Sequence, residues 1–196
     1  AKSIKTIPEF VTGFFALKEL SLHILDIAEN SVAAKARNIT INIDEDCNKD
    51  RLTIFIKDDG RGMNAETLLK VTDPFYTSRT TRKVGLGIPL FKAAAEACNG
   101  SFEIKSQPSN GTEVTVSFQR SHIDRMPLGD IAATWLNLVV AYPDINWFFQ
   151  YKINNNQFRF DSKLIRDELD GVPFSDPLVL SFLREYFTTG IVELNK

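Results

Sequence analysis

A chain of 196 residues, 43% of them hydrophobic, is long and apolar enough to bury the core of one large domain, or of one domain with an appendage. A formal net charge of -2 leaves no overall basic footprint, which argues against nucleic acid as the main partner. Cys47 and Cys98 lie far apart without a CxxC and the two histidines are isolated, which argues against zinc and disulfides and suits a reducing cytoplasm; no apolar run reaches membrane-spanning length.

The opening stretch AKSIKTIPEFVTGFF lacks the long apolar core of a signal peptide, and the missing initial Met fits an N-terminus that was processed or cut away. From Glu19 to Arg37, Leu22, Leu25, Ala28, Val32 and Ala36 recur at spacings of three and four, predicting a core helix with Ser21 as its cap. On its polar edge Asp26, Glu29 and Asn30 fall at i, i+3 and i+4, so their side chains meet on neighbouring turns. That edge reads as a solvated helix face, or as a place for a hard cation such as magnesium with Asn30 as an oxygen ligand.

Asn38 to Asp44 (NITINID) and Arg51 to Lys57 (RLTIFIK) alternate apolar and polar residues around EDCNKD and predict a hairpin with one face on the core helix. The second strand runs into Asp58, Asp59, Gly60, Arg61, Gly62 and Met63. An Asp at a strand end is rigidly held and can accept a hydrogen bond from an amino group such as that of adenine; the same residues also suit a tight surface turn. Asn64 is placed to cap a short helix through Val71.

Asp73 to Lys83 is a polar loop in which Ser78, Arg79, Thr80, Thr81, Arg82 and Lys83 supply hydroxyls and cations. It leads through Gly85, Leu86 and Gly87 into a helix that carries Pro89 in its first turn and ends near Cys98, with Asn99 and Gly100 as its C-terminal cap. Bare glycine backbone followed by the free N–H groups of a helix start makes a phosphate site, although an ordinary glycine turn before a helix has the same signature. Ser101 to Gln107 and Thr112 to Gln119 predict two further strands around the turn Pro108 to Gly111.

Beyond Gln119 a polar junction, SHIDRMPLGD, precedes an amphipathic helix with Ile131, Trp135, Leu138 and Val139 on one face. His122 and Asp124 have no nucleophile at a recognisable spacing and read as part of a structured linker. A hairpin from Ile145 to Asp161 around Asn154, Asn155 and Asn156 follows, then helices at Ser162 to Leu169 and Asp176 to Phe187. Trp147, Phe148 and Phe149 cannot share one side of a strand, so at least one aromatic must face a second interface.

The stretches LHILDIAENSVAAKA, DDGRGM, DPFYTSRTTRKVGLGIPL and NGTEVTVSF, in this order, resemble the motifs of the ATPase superfamily shared by DNA gyrase, heat-shock chaperones, histidine kinases and mismatch-repair proteins, known as GHKL. The resemblance covers residues 20 to 119 and implies an α+β Bergerat fold, a two-layer α/β sandwich with helices on one face of a mixed, mostly antiparallel sheet. The domain would span 1–119, with 120–196 as an accessory α+β module. It implies bound ATP and Mg, with Asn30 on the magnesium, Asp58 reading adenine, and Gly60, Gly62 and Met63 in the turn beneath the base. Phe75 would open the lid, Gly85, Leu86 and Gly87 would meet the phosphates, and Thr112 would lie near adenine.

Two departures bear on the chemistry. Asp26 stands where histidine kinases have Asn, closer to the general-base Glu of the ATPases, and Ala34 replaces the second Asp of the mismatch-repair pattern. Asp26 is therefore expected to act as general base, Glu29 as its reserve, with Arg82 and Lys83 stabilising charge on the γ-phosphate. Self-phosphorylation is not expected, because only about twenty residues precede the Asn30 helix, too few for an upstream helical hairpin bearing a phosphoacceptor histidine. His23 is fixed on the same core helix. What remains is ATP hydrolysis, or transfer to a hydroxyl or imidazole of another protein as in the anti-sigma-factor serine kinases; the competing reading is a non-hydrolytic nucleotide sensor or scaffold. Residues 121–196 are expected to convey the nucleotide state to a protein partner or a second copy of the chain.

Overall fold

Period-two alternation of apolar side chains builds the sheet. The computed structural model describes residues 19–71 and 87–194. Within them the order is α1 (Leu20–Ala33), β1 (Asn38–Asp46), β2 (Arg51–Asp58), α2 (Ala65–Lys70), α3 (Gly87–Ala97), β3 (Ser101–Ser106), β4 (Thr112–Gln119), α4 (Ile131–Ala141), β5 (Asn146–Ile153), β6 (Asn156–Asp161), α5 (Ser162–Glu168) and α6 (Pro177–Glu193). Ile39, Ile41 and Ile43 of β1, Leu52, Ile54 and Ile56 of β2, Val114 and Val116 of β4 and Trp147 and Phe149 of β5 are buried on one face. Helices α1, α3, α4 and α6 lie side by side over that face and share one continuous core with it.

The strands run in the order β3-β4-β2-β1-β5-β6, antiparallel at every junction except β1–β5, which is parallel. The fold is thus a two-layer α/β sandwich on a mixed, mostly antiparallel sheet. The chain crosses from β4 to β5 through α4, the connection a parallel pair requires, and β5 continues the sheet formed by residues before 119. Trp147 and Phe149 enter the helix layer while Phe148 lies on the opposite face, opposite Thr40 of β1 and Asp161 of β6.

Under β5 and β6 the core is aromatic. Trp135 stacks on Phe149 at 4.8 Å, and Phe160 meets Phe187 at 4.7 Å. At the end of the buried row of β1, Glu45 accepts from Tyr151 Oη at 2.5 Å and from Arg120 Nε at 2.6 Å, so one carboxylate ties the junction after β4 to both β1 and β5. Burial and then the bond to Glu45 push the Tyr151 hydroxyl far above the usual tyrosine range.

The helix ends differ from expectation where long-range partners intervene. Ser21 does not cap α1: it is buried, and the N–H groups of Leu20 and Ser21 donate to the carbonyls of Pro127 and Leu128 at 3.0 and 2.8 Å. The far end of α1 stops at Ala33, short of Arg37, because Lys35 takes a left-handed turn (φ 63°) that sends the chain into β1. Helix α6 runs six residues past the predicted end at Phe187, and Leu194 just beyond it is buried. Asn64 caps α2 through Thr67 N at 2.8 Å, and His122 Nδ1 accepts from Asp124 N in a linker turn. Among the described residues no helix is long and apolar enough to cross a membrane.

Candidate functional site

The alternation that buries Leu52, Ile54 and Ile56 also turns Asp58 toward the helices, so a carboxylate sits at the end of an apolar row, only 6% exposed. A buried carboxylate needs donors. Oδ1 accepts from Gly60 N at 2.9 Å and Thr112 N at 3.2 Å, and Oδ2 lies 2.7 Å from the Ser31 hydroxyl of α1. Three donors from three segments hold both oxygens in place, and Oδ2 keeps a lone pair for one further N–H donor.

The glycine turn after Asp58 is clamped to the β3–β4 connection. Met63 N donates to Ser106 Oγ at 2.9 Å, Ser106 Oγ lies 2.8 Å from Gly111 O and 3.0 Å from Thr112 Oγ1, and Ser109 N donates to Arg61 O at 2.7 Å. Gly62 has φ +63°, and a Cβ there would lie 1.9 Å from the Gln107 carbonyl, so the turn admits no side chain. A Cβ on Gly60 would meet Ala34 at 2.9 Å, which places Ala34 directly against this turn.

On α1, Asn30 Nδ2 donates to Asp26 Oδ2 at 3.3 Å, and Glu29 flanks the pair, half-buried on the same helix. Asp26 also reaches the start of α3: a Cβ on Gly87 would fall 1.6 Å from its Oδ2. One turn earlier His23 is buried, stacked on Phe91 of α3 at 4.9 Å. Burial pushes its pKa down to about 4, partly offset by a hydrogen bond to the Gly87 backbone. His23 is therefore a neutral packing residue between α1 and α3.

The described residues thus bring together Asp58, Gly60, Gly62, Met63 and Thr112 at one end of the sheet, beside the Asp26, Glu29 and Asn30 edge of α1 and the first residue of α3. Phe75, Arg82, Lys83, Gly85 and Leu86 lie outside the described residues. Sequence reading missed Ser31 and Ser106. Ser31 carried a signal, since a hydroxyl one turn after Ile27 on the apolar side of a helix must find an acceptor. Ser106 gave none, because its partners come from Met63 and the turn at Gly111. No group of three or more His, Cys, Asp or Glu side chains suited to a metal occurs among the described residues. The Asn30 side-chain oxygen alone would supply one ligand of a magnesium shell, which fits an ion completed by substrate phosphates and water. A separate polar concavity on the open face of the sheet, lined by Asn42, Asp44, Arg51 and Lys152, contains none of these residues.

Residues 16–122, more than half of the chain, match the family model described as histidine kinase-, DNA gyrase B- and HSP90-like ATPase. The chain is similar to the sensor histidine kinase YxdK of Bacillus subtilis, 32% identical over 108 residues that cover 52% of this chain and 33% of that protein. It is also similar to the heme sensor protein HssS of Staphylococcus saprophyticus, 35% identical over 74 residues, 37% of this chain and 16% of that one. The matched stretch spans a third or less of these relatives' own length. Among solved structures, the N-terminal domain of a DNA repair protein superposes with a TM-score of 0.54 at 14% identity, covering 77% of this chain and 54% of that chain, a likeness of fold that extends past residue 122. With this fold and a family match over residues 16–122, the chain belongs to the histidine kinase-, DNA gyrase B- and HSP90-like ATPase family and carries its ATP-binding domain.

Proposed function

We propose that this chain binds magnesium ATP at the Asp58 end of the sheet and hydrolyses it, or passes its γ-phosphate to a protein partner in signalling. The observation that carries this reading is Asp58: a buried carboxylate held by Gly60, Thr112 and Ser31, with one acceptor position left over for the adenine amino group. Gly60 and Gly62 let the turn beside Asp58 pack against Ala34 and the Gln107 carbonyl, and Thr112 closes the same end. Asn30 would hold magnesium, which when bound screens the phosphate charge. From the sequence, Gly85, Leu86, Arg82 and Lys83 would face the phosphates and Phe75 would sit at the loop's entrance.

Asp26 is the general base in this reading. It takes the proton of a water or a partner hydroxyl as that oxygen bonds to the γ-phosphorus and ADP leaves. Its place against Gly87, the first residue of α3, supports the assignment, since a helix start attracts phosphate; Glu29 is the reserve. Similarity to sensor kinases supports a signalling role.

A steady-state phosphate-release assay tests this. Wild type should release phosphate from ATP, and Asp26→Asn should bind ATP while turning over roughly a hundredfold more slowly, the size of a lost general base. Tight ATP binding with no release above a blank would favour the sensor reading, and normal release by Asp26→Asn would move the base to Glu29.

A further inference from the structure

Four polar side chains form one hydrogen-bonded line from the nucleotide turn into the C-terminal half. Asp59, next to Asp58, accepts at Oδ1 from the backbone N–H of Arg37 at 2.7 Å and of Asn38 at 2.9 Å, and at Oδ2 from Asn38 Nδ2 at 2.6 Å. Asn38 Oδ1 accepts from Asn146 Nδ2 at 2.9 Å, and Asn146 Oδ1 accepts from Arg166 Nη1 at 3.0 Å. Arg166 Nη2 is held in turn by the carbonyls of Pro143 at 2.6 Å and Ile145 at 2.9 Å. Asn38 and Asn146 are the first residues of β1 and β5 and face each other in the parallel register, so the topology itself sets them side by side.

The direction of the line is uniform. Each amide donates toward Asp59 and accepts from the Arg166 side, so a guanidinium and a carboxylate polarise both amides the same way and strengthen each bond. Burial alone would raise the Asp59 carboxyl, but the hydrogen bonds from Asn38 and Arg37 outweigh it and keep the group below the ordinary range, hence ionised. Asp59 N also donates to Asn38 O at 3.3 Å, so the turn is tied to β1 by side chain and backbone together.

We propose that Asn146 and Arg166 are positioning residues for the adenine end of ATP: through Asn38 and Asp59 they hold the Asp58–Gly60 turn in its base-reading geometry. Both residues lie beyond the family-matched span 16–122, so the C-terminal half completes the support of the site. The inference rests on the ATP reading of the site. A turn left free to shift by a fraction of an ångström would misalign Asp58 Oδ2 with its ligand while leaving the phosphate end untouched.

The test titrates the whole chain with ADP and, separately, with inorganic tripolyphosphate, both with magnesium, by calorimetry. Asn146→Leu removes a donor and an acceptor while keeping the branching and heavy-atom count of the side chain; Arg166→Gln, at the other end of the line, serves should the first variant not fold. The expected result is ADP binding weakened at least fivefold with tripolyphosphate binding unchanged, a split that general loosening of the fold would not produce. Unchanged ADP affinity in a folded variant overturns the inference, as does an equal loss for both ligands. A wild type that binds no ADP overturns the ATP reading itself, and the inference with it.

Discussion

The two halves of the sheet bury the same kind of face with different material. Toward β2 and β4 the core holds Asp58, Ser31 and His23 among mainly aliphatic side chains with Phe91 and Phe118, and Asp58, Ser31 and His23 each bond to a turn or a neighbouring element. Beneath β5 and β6 it holds Trp135, Trp147, Phe149, Phe158, Phe160 and Phe187, ring against ring. Buried polar groups are costly unless satisfied, whereas the phenylalanine rings stabilise by burial and ring contact alone. In the proposed reading the first half carries the nucleotide site, and the second carries stability and, through Asn146, holds that site from behind.

The largest effect should come from the aromatic side. Phe149 is fully buried and touches Trp135, Trp147, Phe160 and Phe187. Phe149→Ala should cost about 3–5 kcal/mol and lower Tm by roughly 10 °C, with ATP affinity unchanged in the protein that remains folded. A large loss of affinity at temperatures where the variant is fully folded would break the division between the halves.

On the polar side, His23 makes stability depend on pH. Its folded pKa, about 4, lies below the unfolded value of 6.5, so the unfolded chain binds more protons between the two. The His23 contribution is complete above pH 6.5 and is lost as pH falls toward 4, up to about 3 kcal/mol in all. Denaturant midpoints measured across that window should fall steeply for wild type and less steeply for His23→Phe; parallel slopes would remove His23 as the cause.

How much of this was legible in the sequence follows the same line between local and distant. NITINID and RLTIFIK announced their strands because period two is a local property, and DDGRGM and Asn64 announced a turn and a cap for the same reason. The parallel pairing of β5 with β1 was not legible, since nothing in INWFFQYKI names its neighbour. Ser21 failed as a cap because Pro127 and Leu128, more than a hundred residues away, supply the carbonyls. The candidate site divides similarly: Asp58 and the glycines stood out as a motif, while Ser31, Ser106, Asn38 and Asn146 acquire meaning only through partners the fold brings to them.

Asp58 is the residue proposed to read the base, and calorimetry of ATP binding to wild type and Asp58→Asn tests that role directly. The amide oxygen can still accept from Gly60 N and Thr112 N, and the Ser31 hydroxyl can rotate to accept from the new NH2, so the variant should fold. Its Nδ2, however, would present a donor where adenine needs an acceptor. The prediction is ATP binding weakened by at least tenfold, about 1.5–3 kcal/mol for a lost hydrogen bond to a charged group. ATP bound equally well by wild type and Asp58→Asn would contradict it.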